Sequence, residues 1–422
     1  MSETIFALSS GRPPAAIAVV RVSGPKAHVA GVTLAGKLPL ARTAGLRRLR
    51  DGQEALDHAL VLFFPGPNTA TGEDLLELHL HGGRAVVAAV EAALARQPGL
   101  RPAQPGEFTR RSLLNGRIDL AQAEGLADLL EAETEAQRRG ALSMAEGELS
   151  RSVETWLTEL SIVAARVEAE LDFSDEGEVA QAEPFNLAAL LAPVLTKIMT
   201  TLARPSVERL RDGVAVVLAG PRNAGKSSLF NALLGRPAAI VTDVAGTTRD
   251  VLEAVVTREG LPFRLVDTAG LAADTADPIE AIGIERAKTL LKTADVILWL
   301  GEPQLAPPRS VKIAARADER EPDRAADLAT SIHDPSSVEA VWRTVGDIAR
   351  QMTGDLSAAP LHARQRQLIA SCADELKLID GVDLLIDAER LRIANAALAA
   401  ILGRDATEAM LDALFGRFCL GK

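Results

Sequence analysis

The segment Gly220-Pro221-Arg222-Asn223-Ala224-Gly225-Lys226-Ser227 follows an apolar run, Val214 to Leu218, and precedes a run with helical spacing, Ser228 to Leu234. The order of strand, glycine-rich turn and helix fits G-x-x-x-x-G-K-[ST] in the setting that pattern requires. Glycines let the backbone wrap so that its N–H groups face a phosphate chain, and the helix N-terminus adds a favourable dipole. Lys226 would reach the β and γ phosphates, and the Ser227 hydroxyl would hold Mg²⁺. An ordinary glycine turn between a strand and a helix is the bland alternative, and the context speaks against it.

Two downstream segments extend this site. Phe263 to Val266 reads as a short strand that ends in Asp267-Thr268-Ala269-Gly270. An acidic residue at such a strand tip can bind Mg²⁺ through water, and the glycine N–H can meet the γ-phosphate. Between the two motifs lies Thr242-Asp243-Val244-Ala245-Gly246-Thr247-Thr248-Arg249-Asp250, a polar segment suited to closing over a nucleotide as a switch loop; its alternative is a solvated loop. Guanine is normally read by N-K-x-D after the next strand. Here the strand-like Val311 to Ala314 is followed by Ala315-Arg316-Ala317-Asp318. Asp318 can still accept two hydrogen bonds from guanine, but Ala315 and Arg316 replace the expected Asn and Lys. Losing a buried amide partner costs about 1–3 kcal/mol, so guanine preference with weakened binding is expected. The expected nucleotide contacts are therefore Asn223 through Ser228, Thr242 through Thr248, Asp267 through Gly270, and Asp318.

The rest of the chain frames this block. Its 422 residues suggest two or three domains, and 47% hydrophobic residues are enough for full cores. Up to about residue 115, short apolar runs alternate with turns. Strands are expected over Ala15 to Val22, Ala59 to Phe64 and Leu75 to Leu80, then a helix over Ala85 to Arg96. Leu120 to Leu171 reads as long amphipathic helices, Asp172 to Glu178 as an acidic loop, and Pro184 to Leu210 as helix again. Strands and helices alternate from Asp212-Gly213 to about residue 350, and helix returns from about Ala358. The expected fold class is an α+β N-terminal domain (1–117), an all-α helical domain in two parts (118–210 and 355–422), and an inserted α/β P-loop domain (211–354) with a doubly wound sheet.

A net charge of −11 gives no whole-chain footprint for nucleic acid, although a local patch could still serve. Tyr is absent, so aromatic platforms for stacked bases are few. Two cysteines, Cys372 and Cys419, argue against a disulfide framework and for a reducing, cytoplasmic setting. No run of about 18 apolar residues suggests a membrane span, and Met1 to Ser10 does not read as a signal peptide.

Several further segments, taken in order, resemble the MnmE/TrmE family of tRNA-modification GTPases. Inside the α/β block these are the P-loop, Gly246-Thr247-Thr248-Arg249-Asp250, Asp267-Thr268-Ala269-Gly270-Leu271 and Ile282-Gly283-Ile284-Glu285-Arg286-Ala287. Outside it are Thr71-Gly72-Glu73-Asp74-Leu75-Leu76-Glu77-Leu78-His79-Leu80-His81-Gly82-Gly83, Pro105-Gly106-Glu107-Phe108-Thr109, Leu114-Asn115-Gly116-Arg117-Ile118-Asp119-Leu120-Ala121-Gln122-Ala123-Glu124, and the terminal Phe418-Cys419-Leu420-Gly421-Lys422.

The resemblance implies an N-terminal folate-binding domain that forms a homodimer, a helical domain and an inserted G domain. It implies K⁺-stimulated, Mg²⁺-dependent GTP hydrolysis, in a complex with the FAD-dependent protein MnmG. That complex modifies C5 of the wobble uridine of tRNA with a one-carbon unit from 5-formyl- or 5,10-methylene-tetrahydrofolate. FAD belongs to the partner only, and no membrane is involved. Residue by residue, Asn223, Thr242, Val244 and Thr247 match K⁺ ligands. Ser227 and Thr248 match Mg²⁺ ligands, and Glu280 matches the carboxylate that orients the attacking water, with Lys226 as its catalytic companion. Arg21, Glu77, Arg117 and Lys422 match folate contacts, and Cys419 matches the family's C-terminal cysteine.

Two rival readings use the same residues. One is a GTP-dependent switch or assembly factor, for example in ribosome biogenesis, which would not need the N-terminal folate pattern. The other is a binding scaffold, suggested by the altered guanine motif and by Thr330-Ser331-Ile332-His333 where S-A-K is expected. His79 and His81 alternate on a strand, and without a third ligand nearby they favour structural or polar packing over a metal site.

Overall fold

The computed structural model describes residues 3–173, 186–204, 213–221, 223–235, 252–268, 289–353, 360–405, 407–416, 418 and 421. Two compact units divide the chain: Met1–Ala127 with Met144–Ile162 and Arg392–Lys422, and Asp128–Ser143 with Val163–Leu391.

The first unit is built on a six-stranded sheet of order β3-β4-β5-β2-β1-β6. Its strands are β1 (Thr4–Leu8), β2 (Ile17–Ser23), β3 (Gly45–Asp51), β4 (Glu54–Phe64), β5 (Leu75–His81) and β6 (Leu100–Pro102). Alternation along β2 and β5 buries Ala18, Val20, Val22, Leu76, Leu78 and Leu80 on one face. Helices α1 (Ala27–Ala35) and α2 (Arg84–Ala95) cover that face with Ala30, Leu34, Val90 and Leu94. Helix α3 (Glu107–Leu114) follows. The expected strands are present with shifted ends: the strand expected from Ala15 is β2, Ile17–Ser23, β5 runs one residue further to His81, and β4 starts at Glu54, because Glu54, Ala55 and Asp57 pair with β3 at the sheet edge.

The C-terminal helix α12 (Glu408–Phe415) returns to this unit. Phe415 and Phe418 pack with Leu120 and Ala123 of α4 (Leu120–Glu131). Arg110 of α3 is tied to Glu408, and to Asp412 at 2.8 Å.

The second unit holds the α/β block, a six-stranded sheet of order β12-β11-β10-β7-β9-β8. It comprises β7 (Val214–Ala219), β8 (Leu252–Arg258), β9 (Leu261–Asp267), β10 (Val296–Trp299), β11 (Ser310–Ala315) and β12 (Leu328–Thr330). Every pairing is parallel except β8 with β9. The central strand β7 is buried throughout, as a strand covered on both faces must be. Among the described residues, α8 (Lys226–Leu234) and α9 (Pro335–Thr353) pack on this sheet. Trp342 of α9 donates its indole N–H to Leu233 O at 3.2 Å and meets Phe263 edge-on at 5.2 Å, which anchors the far end of α8.

Long helices flank the α/β block in sequence: α5 (Glu135–Ala145), α6 (Glu148–Phe173) and α7 (Leu187–Leu202) before it, α10 (Ala363–Lys377) and α11 (Leu384–Ile401) after it. Arg366 of α10 donates to Leu202 O at 2.6 Å and to Arg204 O, capping the C-terminus of α7 across 164 positions of sequence. The fold is thus an α+β N-terminal portion, a helical portion and a doubly wound α/β block set between helical arms that meet. One expectation is corrected: Asp172 belongs to α6, which runs without a break through Phe173. The helix continues because the amphipathic repeat carries through to that point. The rest of the expected acidic loop lies outside the described residues.

Candidate functional site

The phosphate loop takes the shape its residues allow. Gly220 has φ +147, and a Cβ there would lie 3.0 Å from the carbonyl carbon of Leu300, so only glycine fits beside β10. Gly225 begins α8 with φ +96, and Asn223 is left-handed with φ 59. Lys226 is buried, and its Nζ donates to Gly220 O at 3.0 Å and Pro221 O at 2.8 Å. Burial lowers the Lys226 pKa, and the nearby Asp267 carboxylate opposes that effect. Ser227 donates its hydroxyl to Asp267 Oδ2 at 2.6 Å, and Asp267 is fully buried at the tip of β9. Thr268 ties this tip to β7 by donating to Leu218 O at 2.8 Å.

The structure therefore brings Gly225, Lys226, Ser227, Asp267 and Thr268 together, while Ala224 is half-buried and Asn223 and Ser228 are exposed on the same turn. A hydroxyl and a carboxylate at one point are hard oxygen donors of the kind Mg²⁺ takes. Thr242, Asp243, Val244, Ala245, Gly246, Thr247, Thr248, Ala269, Gly270 and Glu280 lie outside the described residues.

Beside the loop, the Cβ of Ala315 lies 3.7 Å from the Cβ position of Gly225. Arg316 is left-handed with φ 60 and pairs with Glu319 at 3.6 Å. Asp318 is exposed, and a hydrogen bond from Ser331 lowers its pKa, helped by its own backbone N–H. Ser331 is itself held in place, since its Oγ accepts from His333 N at 3.1 Å. Ser331 was not assigned a role from sequence; its position one residue past β12 is the signal that could have found it.

A second polar group lies on the N-terminal sheet. Antiparallel register sets Arg21 of β2 opposite Glu77 of β5. Arg21 grips Glu77 Oε1 through Nη2 at 2.8 Å and Nε at 3.2 Å, and His79 Nε2 lies 3.3 Å from Oε2. Burial raises the Glu77 pKa, but Arg21 and then His79 outweigh it, and the net shift is downward. The Arg21 guanidinium also lies 6.0 Å from the Phe108 ring centroid. His81 Nδ1 pairs with Asp57 at 2.7 Å, so both strand histidines engage carboxylates.

Nearby, Arg111 of α3 is nearly buried between Glu73 at 2.9 Å and Glu107 at 3.0 Å. Arg101 adds a second bond to Glu107. Sequence reasoning assigned no role to Phe108, Glu73, Arg101, Glu107 or Arg111, although all but Arg101 and Arg111 stand in the motif segments quoted above. Arg117 lies on the turn after α3, its Cγ 3.3 Å from the Cβ position of Gly72. Lys422 and Cys419 are outside the described residues. Cys372 is buried, which pushes its thiol up to about 12 and leaves it unreactive.

The comparisons with known proteins decide the family. Residues 4–117 match the family described as GTP-binding protein TrmE N-terminus, and residues 120–419 match the MnmE helical domain. This chain belongs to the MnmE family. A tRNA modification GTPase MnmE of Rhizorhabdus wittichii is 55% identical, the match covering 100% of this chain and 97% of the relative. Those of Erythrobacter litoralis and Novosphingobium aromaticivorans are 53% and 51% identical, and each match covers 100% of both chains. Among the described residues no helix is long and apolar enough to cross a membrane.

Proposed function

We propose that this chain is a K⁺-stimulated, Mg²⁺-dependent GTP hydrolase that acts with a flavoprotein partner to modify C5 of the tRNA wobble uridine. The observation that carries the reading is the joint placement of Lys226, Ser227 and Asp267 at one strand–turn–helix junction. The buried Lys226 ammonium is positioned to neutralise charge on the β and γ phosphates. Ser227 and Asp267 present the oxygens that would face Mg²⁺, with Thr248 as the further ligand. Mg²⁺, when bound, supplies positive charge to the phosphate oxygens. Asn223, with Thr242, Val244 and Thr247, would hold K⁺, whose charge takes the place of an arginine finger. Glu280 would orient the water that attacks the γ-phosphate.

On the N-terminal sheet, Arg21 and Glu77 would hold the tetrahydrofolate derivative with Arg117 and Lys422. An ionised carboxylate between Arg21 and His79 suits the N–H edge of a pterin, and the cations Arg117 and Lys422 suit its glutamate tail. The face of that sheet opposite α1 and α2 exposes Ile17, Leu46 and Leu60 by 60%, 66% and 38%. These exposed apolar side chains support a homodimer formed through this portion. The setting is the cytoplasm, where the tRNA and the MnmG-type partner are found.

The test is complementation. In a strain lacking the chain, mass spectrometry of tRNA should show the wobble uridine unmodified at C5. Wild-type chain should restore the modification and Lys226→Ala should not. Full modification in the strain lacking the chain would remove the pathway from the account.

A further inference from the structure

Between Glu3 and Asp51 the chain has eight Lys and Arg residues and no Asp or Glu, although its net charge is −11. That stretch ends in the edge strand β3, which pairs on one side only, with β4. Alternation along β3 turns Leu49 into the core and leaves Leu46, Arg48 and Arg50 exposed on the other face. Alternate residues of a strand are about 7 Å apart, so the two arginines leave the sheet side by side, past Leu46 and towards the hairpin tip.

No acid quenches them. Arg48 faces His58 across the strand pair, and Arg50 faces Ala55. Of the carboxylates on these two strands, Asp51 pairs with Arg96, Asp57 pairs with His81, and Glu54 stands at the hairpin tip. Among the described residues no carboxylate pairs with Arg48 or Arg50. Two further arginines extend the strip. Arg47 donates to Lys37 O at 2.6 Å, and Arg42 bonds Asn68 O with its guanidinium 5.9 Å from the Phe64 ring centroid. Cations on an edge strand also repel other strands, and lysine serves that purpose well. Here all four cations from residue 42 to residue 50 are arginines, whose planar fork matches a phosphate through two hydrogen bonds.

We propose that this edge of the N-terminal sheet, centred on Arg48 and Arg50, is the surface on which the chain holds the phosphate backbone of tRNA. The inference rests on the tRNA-modification reading above and goes beyond it by naming the surface. The contact is to phosphates and not to bases: Phe63 is buried, Phe64 lies half-buried beside Arg42, and neither offers a stacking platform. The strip therefore supplies affinity and orientation, and the choice among tRNAs is made elsewhere.

The test uses the full chain and fluorescent tRNA transcripts, with anisotropy read from about 50 to about 200 mM salt. Arg48→Gln/Arg50→Gln should weaken binding about tenfold and lower the slope of log affinity against log salt by about one to two. The loss should be the same for tRNAs of different sequence. Arg48→Lys/Arg50→Lys should keep most of the slope, because the charge remains. Arg138→Gln/Arg139→Gln, which removes two exposed arginines of α5, should change nothing. GTP hydrolysis and the mass by light scattering should match wild type in every variant.

Unchanged affinity and slope in the glutamine variant, with wild-type binding intact, would overturn the strip and leave the functional reading standing. So would a loss confined to one tRNA sequence, a loss that tracks a change in mass, or a loss of binding to the flavoprotein in place of tRNA. Absence of tRNA binding by wild type at about 50 mM salt would count against the strip and the tRNA reading together.

Discussion

The hydroxyl of Ser227 lies 2.6 Å from Oδ2 of Asp267, forty positions away in sequence, so the first turn of α8 and the tip of β9 are joined by one short hydrogen bond. Both groups are those that would face Mg²⁺, and each holds the other where the ion would be met. Ser227→Ala removes one of these oxygens and leaves Asp267 buried without this partner. GTP turnover should fall on the order of 10²-fold, the cost typical of losing one preorganised electrostatic contact. Raising Mg²⁺ should recover part of the loss. Steady-state hydrolysis across a Mg²⁺ titration checks this, and an unchanged Mg²⁺ requirement would count against the assignment.

Arg21 and Glu77 form a half-buried pair whose side chains are 25% and 16% exposed. Arg21→Ala leaves Glu77 with burial opposed only by His79, so its pKa should rise from a lowered value towards or above the ordinary range. Binding of 5-formyltetrahydrofolate, followed by titration calorimetry, should weaken by about tenfold or more for a lost charge-assisted hydrogen bond. Undiminished binding would place the folate elsewhere.

Glu107 gives the first unit a defined acid response. Burial pushes its pKa up, but hydrogen bonds from Arg101, Gln104 N and Arg111 outweigh this and bring it down to about 2 from 4.5. Because the folded value is the lower one, the stabilisation is fully present above the unfolded value. It is lost as pH falls from 4.5 towards about 2. After discounting for solvent screening, its size is about 1–2 kcal/mol. Chemical unfolding from pH 7 to pH 2 should show wild type losing this increment and Glu107→Gln lacking it from the outset. Parallel curves for the two proteins would contradict the assignment.

The phosphate loop was legible because its chemistry is local: Gly220, Gly225, Lys226 and Ser227 meet within one turn, and spacing alone brings them together. Arg21 and Glu77 were named from a resemblance, but their contact depends on the register of β2 against β5, which no single segment encodes. Three of the elements that escaped the pattern reading show why. β3 reads Gly-Leu-Arg-Arg-Leu-Arg-Asp, with only Leu49 buried, so an edge strand here looks like a charged loop. α1 has apolar residues all round and Gly31 inside it, which blurs the helical period. β1 is five residues long and gains its place from pairing with β2 and β6.

The central claim, that the cradle around Lys226 hydrolyses GTP with help from a monovalent ion, meets its most direct test in turnover by the purified full chain. GTP hydrolysis should be measured with Mg²⁺ in K⁺ and in Na⁺, for wild type and for Lys226→Ala. Wild type should turn over at least about tenfold faster in K⁺, as expected for a positive charge placed on the transition state, and Lys226→Ala should be inactive in both salts. Equal wild-type rates in the two salts, or hydrolysis that survives loss of Lys226, would contradict the account.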